Sequence, residues 1–178
     1  LGGGRIGVNG GHTGALPQPG MERLGALWPR RMPVVMAVLN RTPDSFSDGG
    51  RYLDDEAGLQ HAELLVAGGA DIIDIGGEST RPGAALVTAV EEQRRVVPMV
   101  AELRRRHPDL AISVDTSKPE VAAAALEAGA DLVNDVSAAG DGRMLELVAR
   151  RGAAIVLMHR RGTPASMQLD TGYRDVVA

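Results

Sequence analysis

Gly129-Ala130-Asp131-Leu132-Val133-Asn134 decides the fold class, because the chain repeats its design. Gly69-Ala70-Asp71-Ile72-Ile73-Asp74 precedes it and Gly152-Ala153-Ala154-Ile155-Val156-Leu157 follows it. In each copy a glycine suited to stopping a helix leads into a short aliphatic run. The runs are apolar at consecutive positions and rich in Val and Ile, as parallel strands buried on both faces are. With two similar runs, the expected strands cover 34–39, 71–75, 111–114, 131–133 and 154–158. Helical patterns fill the gaps at about 54–67, 88–106, 117–128 and 141–150. Thr88 with Glu91, and Ser117 with Glu120, have the spacing of a capping box, and Gly129 and Gly152 fit helix stops. Five strands alternating with four helices predict an α/β domain with a parallel sheet.

A doubly wound sheet and a (β/α)8 barrel share that alternation, and the residues just past each strand separate them. The runs end at Asn40, at Gly76-Gly77-Glu78, at Asp115, at Asn134-Asp135 and at His159. A doubly wound sheet binds at a switch point and asks only some strands to contribute. A TIM barrel builds its active-site rim from the C-terminal ends of all its strands. The expected fold is therefore a TIM (β/α)8 barrel. Eight units take about 250 residues, and five are counted here, so the chain reads as the first five-eighths of a barrel. Residues 1–20 hold eight glycines and no apolar periodicity, which predicts a flexible tail or linker. Met21 is a candidate start, and 21–178 is the expected partial barrel domain.

Composition narrows the function. The 178 residues are 44% hydrophobic and 24% charged, enough apolar surface for a core. No apolar run reaches the ~18 residues of a membrane span. Lys and Arg number 19 against 23 Asp and Glu, a net charge of -4 that gives no reason to expect nucleic acid or an anionic membrane as partner. Cysteine is absent, which excludes disulfides and thiolate chemistry and fits a cytoplasmic protein. The aromatics are Trp28, Phe46, Tyr52 and Tyr173, so the core must be aliphatic.

The loop after strand one, Asn40-Arg41-Thr42-Pro43-Asp44-Ser45-Phe46-Ser47-Asp48-Gly49-Gly50, holds the chain's one Phe. Phe46 is either a ligand contact or a staple for its own loop. Gly76-Gly77-Glu78-Ser79-Thr80-Arg81-Pro82-Gly83 lets backbone approach a ligand and offers Ser, Thr and Arg to an anion. It is neither a P-loop nor a G-x-G-x-x-G. Asp115 is a rim carboxylate or a helix cap, with Ser117 competing for the second role. Asn134 and Asp135 suit the edge of a heterocycle, or a turn. His159 stands alone, without a second His to make a metal pair. No nucleophile elbow, His-Glu-x-x-His or Cys points to covalent catalysis or a zinc hydrolase.

Together the segments resemble dihydropteroate synthase, the pterin-binding enzyme family of folate biosynthesis. Residues 36–50 are similar to the family's first signature and 71–84 to its second. Ser113-Val114-Asp115-Thr116, Asn134-Asp135-Val136-Ser137 and Leu157-Met158-His159-Arg160-Arg161-Gly162-Thr163-Pro164 follow in family order. The resemblance implies a TIM barrel that condenses 6-hydroxymethyl-7,8-dihydropterin diphosphate with 4-aminobenzoate, giving 7,8-dihydropteroate and diphosphate with Mg2+ assisting. It implies that Asp115 and Asn134 contact the pterin ring, with Asn40 at the diphosphate and Mg2+ site. Asp48 would reach the metal when its loop closes. Phe46 and Pro82 would line the aminobenzoate pocket, where sulfonamides compete, and Thr80 and Arg81 would shape the pterin and diphosphate side. The family is commonly homodimeric.

Arg41 stands where the family usually has an apolar residue, and there adds positive charge near an anionic substrate. Arg160 stands where Met is common. The family's later pterin Asp, its Lys in strand seven and its Arg/His pair in strand eight have no counterpart before Ala178. The alternative readings are a pterin-binding methyltransferase of the methyltetrahydrofolate/corrinoid type, and an inactive fragment or paralogue. The Thr42-Pro43-Asp44-Ser45-Phe46 and Glu78-Ser79-Thr80-Arg81-Pro82-Gly83 loops favour the synthase.

Overall fold

The three glycines that open the repeats all adopt positive φ: 93° at Gly69, 115° at Gly129 and 58° at Gly152. Only glycine takes this left-handed turn without a Cβ penalty. Each therefore ends a helix and aims the chain into the next strand. The structure, a computed structural model, describes residues 19–27, 33–42, 50–79 and 86–159, with residues 166, 172 and 175 singly.

The elements run α1 (Pro19–Leu27), β1 (Met36–Asn40), α2 (Gly50–Ala67), β2 (Ile72–Gly76) and α3 (Ala89–Arg106). They continue with β3 (Ala111–Asp115), α4 (Pro119–Ala128), β4 (Leu132–Asp135), α5 (Arg143–Arg151) and β5 (Ala154–Leu157). All five strands are parallel and lie in the order β1-β2-β3-β4-β5. A doubly wound sheet reverses its strand order at the switch point. No reversal occurs here, so the sheet is the β/α-barrel arrangement with each strand beside its chain neighbour.

Strand parity divides the interior into two packed regions. Ile73, Ile75, Ile112, Val114 and Val133 face outward and form the main core with apolar residues of α2 to α5. Burying each such side chain contributes roughly 1.5–3 kcal/mol before entropy is counted. The alternate residues face the barrel axis. At the N-terminal end of that axis Ile72, Ala111 and Leu132 meet Leu24 and Leu27 of α1. Arg23 of α1 reaches Asp131, with Nη2 2.6 Å from Oδ1, while Arg104 Nη2 lies 2.7 Å from Oδ2. The Ile112 amide also donates to Oδ2, so this buried carboxylate is satisfied on every side.

Two local expectations are corrected. Pro19 and Gly20, expected in the tail, open α1, which plugs the bottom of the barrel; residues 1–18 lie outside the described residues. Ser117 is not the cap of α4: Lys118 holds that position without a side-chain cap, and Pro119 starts the helix. A proline at the first helical position lacks one of the amides that a cap would have to satisfy. Thr88 does cap α3, its Oγ1 accepting from the Glu91 amide at 3.3 Å.

Candidate functional site

Asn40, Gly76, Asp115 and Asn134 stand in register across β1, β2, β3 and β4. Because strand side chains alternate between faces, these four share the inward face at the C-terminal end of the sheet. They form one layer at the rim, where a β/α barrel places its chemistry. Glycine at 76 keeps the middle of this layer open. A Cβ there would lie 3.5 Å from Asp115 Oδ2 and 3.6 Å from Asn40 Oδ1, so both oxygens border the same space. Asp115 neither caps α4 nor serves its N-terminal amides: the Lys118 amide bonds to Thr116 Oγ1 at 3.1 Å.

Asp115 is half-buried among other carboxylates. Burial, first, and then the negative charges of Asp74, Glu92, Asp135 and Glu78 push its pKa up from 3.8 to about 7. Asn134 Nδ2 donates to Asp74 Oδ2 at 2.9 Å. Asp74 is only 2% exposed and sits one layer below, opposite Ser113 of β3. Asp74 is not among the residues expected at the site, yet the sequence carries a signal for it. An acid interrupts Ile72-Ile73-Asp74-Ile75 on the same parity as Gly76.

The two readings left open at the end of β4 divide by parity. Asn134 faces the axis, whereas Asp135 turns outward and builds the following turn. Its Oδ1 accepts from the Ser137 amide and hydroxyl at 2.7 Å each, and its Oδ2 from the Ala139 amide at 3.0 Å. This turn holds Ala138 and Ala139 at φ of 56° and 57°, a conformation that non-glycine residues adopt at a cost.

Glu78 also leaves the rim. Its carboxylate pairs with Lys118, which lies 2.5 Å from Glu92 Oε2 on α3. Its other oxygen accepts from the Val87 amide at 3.0 Å. Glu78 thus ties Val87 to its own position, on the two sides of residues 80–85. Arg95 adds a hydrogen bond to the Gly77 carbonyl at 2.8 Å. Arg41 does not face the barrel axis, since Asn40 beside it takes the inward parity. Its guanidinium is buried and pairs with Asp55 of α2, so its charge is neutralised behind the strand. His159 is exposed just past β5. Phe46, Asp48, Thr80, Arg81, Pro82 and Arg160 lie outside the described residues.

Among the described residues no group of three or more His, Asp or Glu side chains is placed to hold a metal ion. Asn40 offers one amide oxygen at the rim. That donor set suits a hard cation only if a ligand brings most of the coordinating oxygens, as Mg2+ with a phosphate does. No helix among the described residues is long and apolar enough to cross a membrane.

The known proteins that this chain matches include several dihydropteroate synthases. A dihydropteroate synthase of Synechocystis is 48% identical over 151 residues, which is 84% of this chain and 52% of that protein. The crystal structure of the Yersinia pestis dihydropteroate synthase, in a sulfonamide drug complex, is 48% identical with a TM-score of 0.73. The match covers 82% of this chain and 52% of that one. The Xanthomonas albilineans dihydropteroate synthase with 4-aminobenzoic acid is 49% identical with a TM-score of 0.70, over 74% of this chain and 48% of that one. The chain thus spans about half the length of the curated relatives it matches. The family model described as pterin binding enzyme matches residues 36–178, and the chain belongs to that family.

Proposed function

We propose that the protein is a dihydropteroate synthase, joining 6-hydroxymethyl-7,8-dihydropterin diphosphate to 4-aminobenzoate. The observation that carries this reading is the layer Asn40, Gly76, Asp115 and Asn134, which places side-chain oxygens around an open floor at the barrel rim. Such oxygens suit a heterocycle rich in N–H donors. In the reaction the arylamine nitrogen forms a bond to the pterin methylene carbon. The C–O bond to the diphosphate breaks, the diphosphate leaves with the electron pair, and the amine gives up a proton. Positive charge grows on the pterin as the leaving group departs, and an ionised Asp115 beside the ring would stabilise it. The reaction needs no nucleophile from the protein.

Asn40 would hold Mg2+ together with the diphosphate, and Asp48 would join when its loop closes. Bound there, the cation neutralises charge on the departing diphosphate. Thr80 and Arg81 would contact the pterin and diphosphate, and Phe46 and Pro82 would line the aminobenzoate pocket, where sulfonamides compete. The whole protein would work in the cytoplasm as a homodimer. The test is a coupled assay of dihydropteroate formation by the whole protein, with and without a sulfonamide. Asp115→Ala should abolish turnover and leave the circular dichroism spectrum unchanged. Near-normal kcat/KM in that variant would remove Asp115 from the site.

A further inference from the structure

We infer that Asp74 is a positioning residue for ligand recognition: it holds the Asn134 amide with its NH2 group toward the barrel interior and its carbonyl oxygen toward the rim, so that Asn134 selects a ligand edge bearing N–H donors. The inference rests on the synthase reading and adds what sets its specificity. An amide side chain is ambiguous by itself, since rotating it by half a turn exchanges donor for acceptor. A carboxylate oxygen only accepts. With Asp74 Oδ2 at 2.9 Å, the nitrogen of Asn134 has to face down. Asp115 and Asn134 then both present oxygen to the rim, and the described side of the site reads amino and N–H groups rather than carbonyls.

The cost of Asp74 to the fold argues for such a role. Its neighbours Ile72, Ile73 and Ile75 are buried aliphatics, and Asp74 itself is 2% exposed. Its second oxygen, Oδ1, is buried with no hydrogen-bond partner among the described residues. A group of that kind destabilises a core that an aliphatic residue would fill without penalty. Among the described residues, the side-chain bond that Asp74 makes goes to a side chain in the rim layer.

The test compares two probes on the whole protein: pterin, which carries a 2-amino group, and lumazine, which carries a 2-oxo group in its place. Wild type should prefer pterin. Asp74→Asn can both donate and accept, so it frees Asn134 to rotate. Pterin should then bind roughly ten- to a hundred-fold more weakly, while lumazine changes little and the preference narrows. In an Asn134→Ala background Asp74→Asn should have no further effect on pterin. Equal losses for both probes, or the same loss in both backgrounds, would overturn the inference and leave Asp74 a packing residue. Wild type that binds neither probe would instead count against the synthase reading. If Asp74→Asn does not fold, 15N NMR of wild type decides. The Asn134 side-chain NH2 should be protected from hydrogen exchange before and after pterin binds; rapid exchange in the free protein would sink the idea.

Discussion

Lys118 Nζ lies 2.5 Å from Glu92 Oε2, and Glu92 is 1% exposed, so a fully buried carboxylate on α3 depends on a cation from the residue that precedes α4. Burial acts to lower the Lys118 pKa, but its hydrogen bonds to Glu92 and Glu78 outweigh that and raise it, keeping the lysine charged. Lys118→Met should therefore leave Glu92 buried without a partner and cost about 3 kcal/mol. Adding Glu92→Gln should recover part of the loss, because no charge then remains in the core. Urea denaturation of the two variants checks both steps. Equal stability of Lys118→Met and wild type would show that the pair contributes nothing.

Adjacent glycines should respond in opposite ways. A Cβ at Gly77 would sit 2.9 Å from both Glu92 Cγ and Val96 Cγ1, and 3.2 Å from the Glu92 carbonyl. Gly77→Ala has to push α3 off the sheet and should destabilise by about 1–3 kcal/mol. At Gly76 the nearest atoms are 3.5 Å and 3.6 Å away, ordinary contact distance. Gly76→Ala should change stability by no more than about 0.5 kcal/mol, yet its methyl group fills the floor between Asn40 and Asp115. Pterin affinity should fall while the melting temperature holds. Intact binding in Gly76→Ala would mean that the ligand sits elsewhere on the rim.

The alternation of Gly129–Asn134 and its copies made the parallel sheet legible, because strand burial and helix stops are local signals. The rim was legible for the same reason: Asn40, Asp115 and Asn134 each follow an aliphatic run and share one parity. What the sequence concealed were pairings between distant segments. Nothing local marks Glu78 as a partner of Lys118, or Arg41 as a partner of Asp55. Asp135 and Asn134 are adjacent and chemically alike, and only the phase of β4 sends one to the axis and the other into a turn. α1 carries little local signal, because glycines crowd the residues before it and its buried residues among those described are Leu24 and Leu27.

The polypeptide of these 178 residues, expressed alone, should self-associate. Met36, Val38 and Val156 have inward parity, yet they are 38%, 53% and 44% exposed, and outward-facing Leu157 is 48% exposed. Each of β1 and β5 pairs on one side only among the described residues. Open strand edges beside exposed aliphatics favour edge-to-edge association. Sedimentation velocity should show species larger than the monomer, increasing with concentration. A clean monomer across the range would show that these faces are protected.

The charge state of Asp115 should couple both stability and binding to pH near neutrality. Its folded pKa of about 7 lies above its ordinary 3.8, so the folded protein holds this proton more tightly than the unfolded chain. The resulting stabilisation is complete below pH 3.8 and is lost as pH rises to about 7, at up to about 1.4 kcal/mol per pH unit. Asp115→Asn removes that dependence, so the stability of wild type minus that of the variant should fall across this window and flatten above it. Ligand binding has the opposite sense. N–H donors on a pterin favour the carboxylate, which lowers the bound pKa and expels a proton when binding occurs near pH 7. Affinity should rise with pH up to about 7 and then level off. Titration calorimetry in two buffers of different ionisation enthalpy should detect the released proton in wild type and not in Asp115→Asn. A carboxyl midpoint near 4 by 13C NMR would show that Asp115 is already ionised at neutral pH and that its acidic neighbours do not control it, and proton uptake on binding would show that the ligand favours the protonated acid instead.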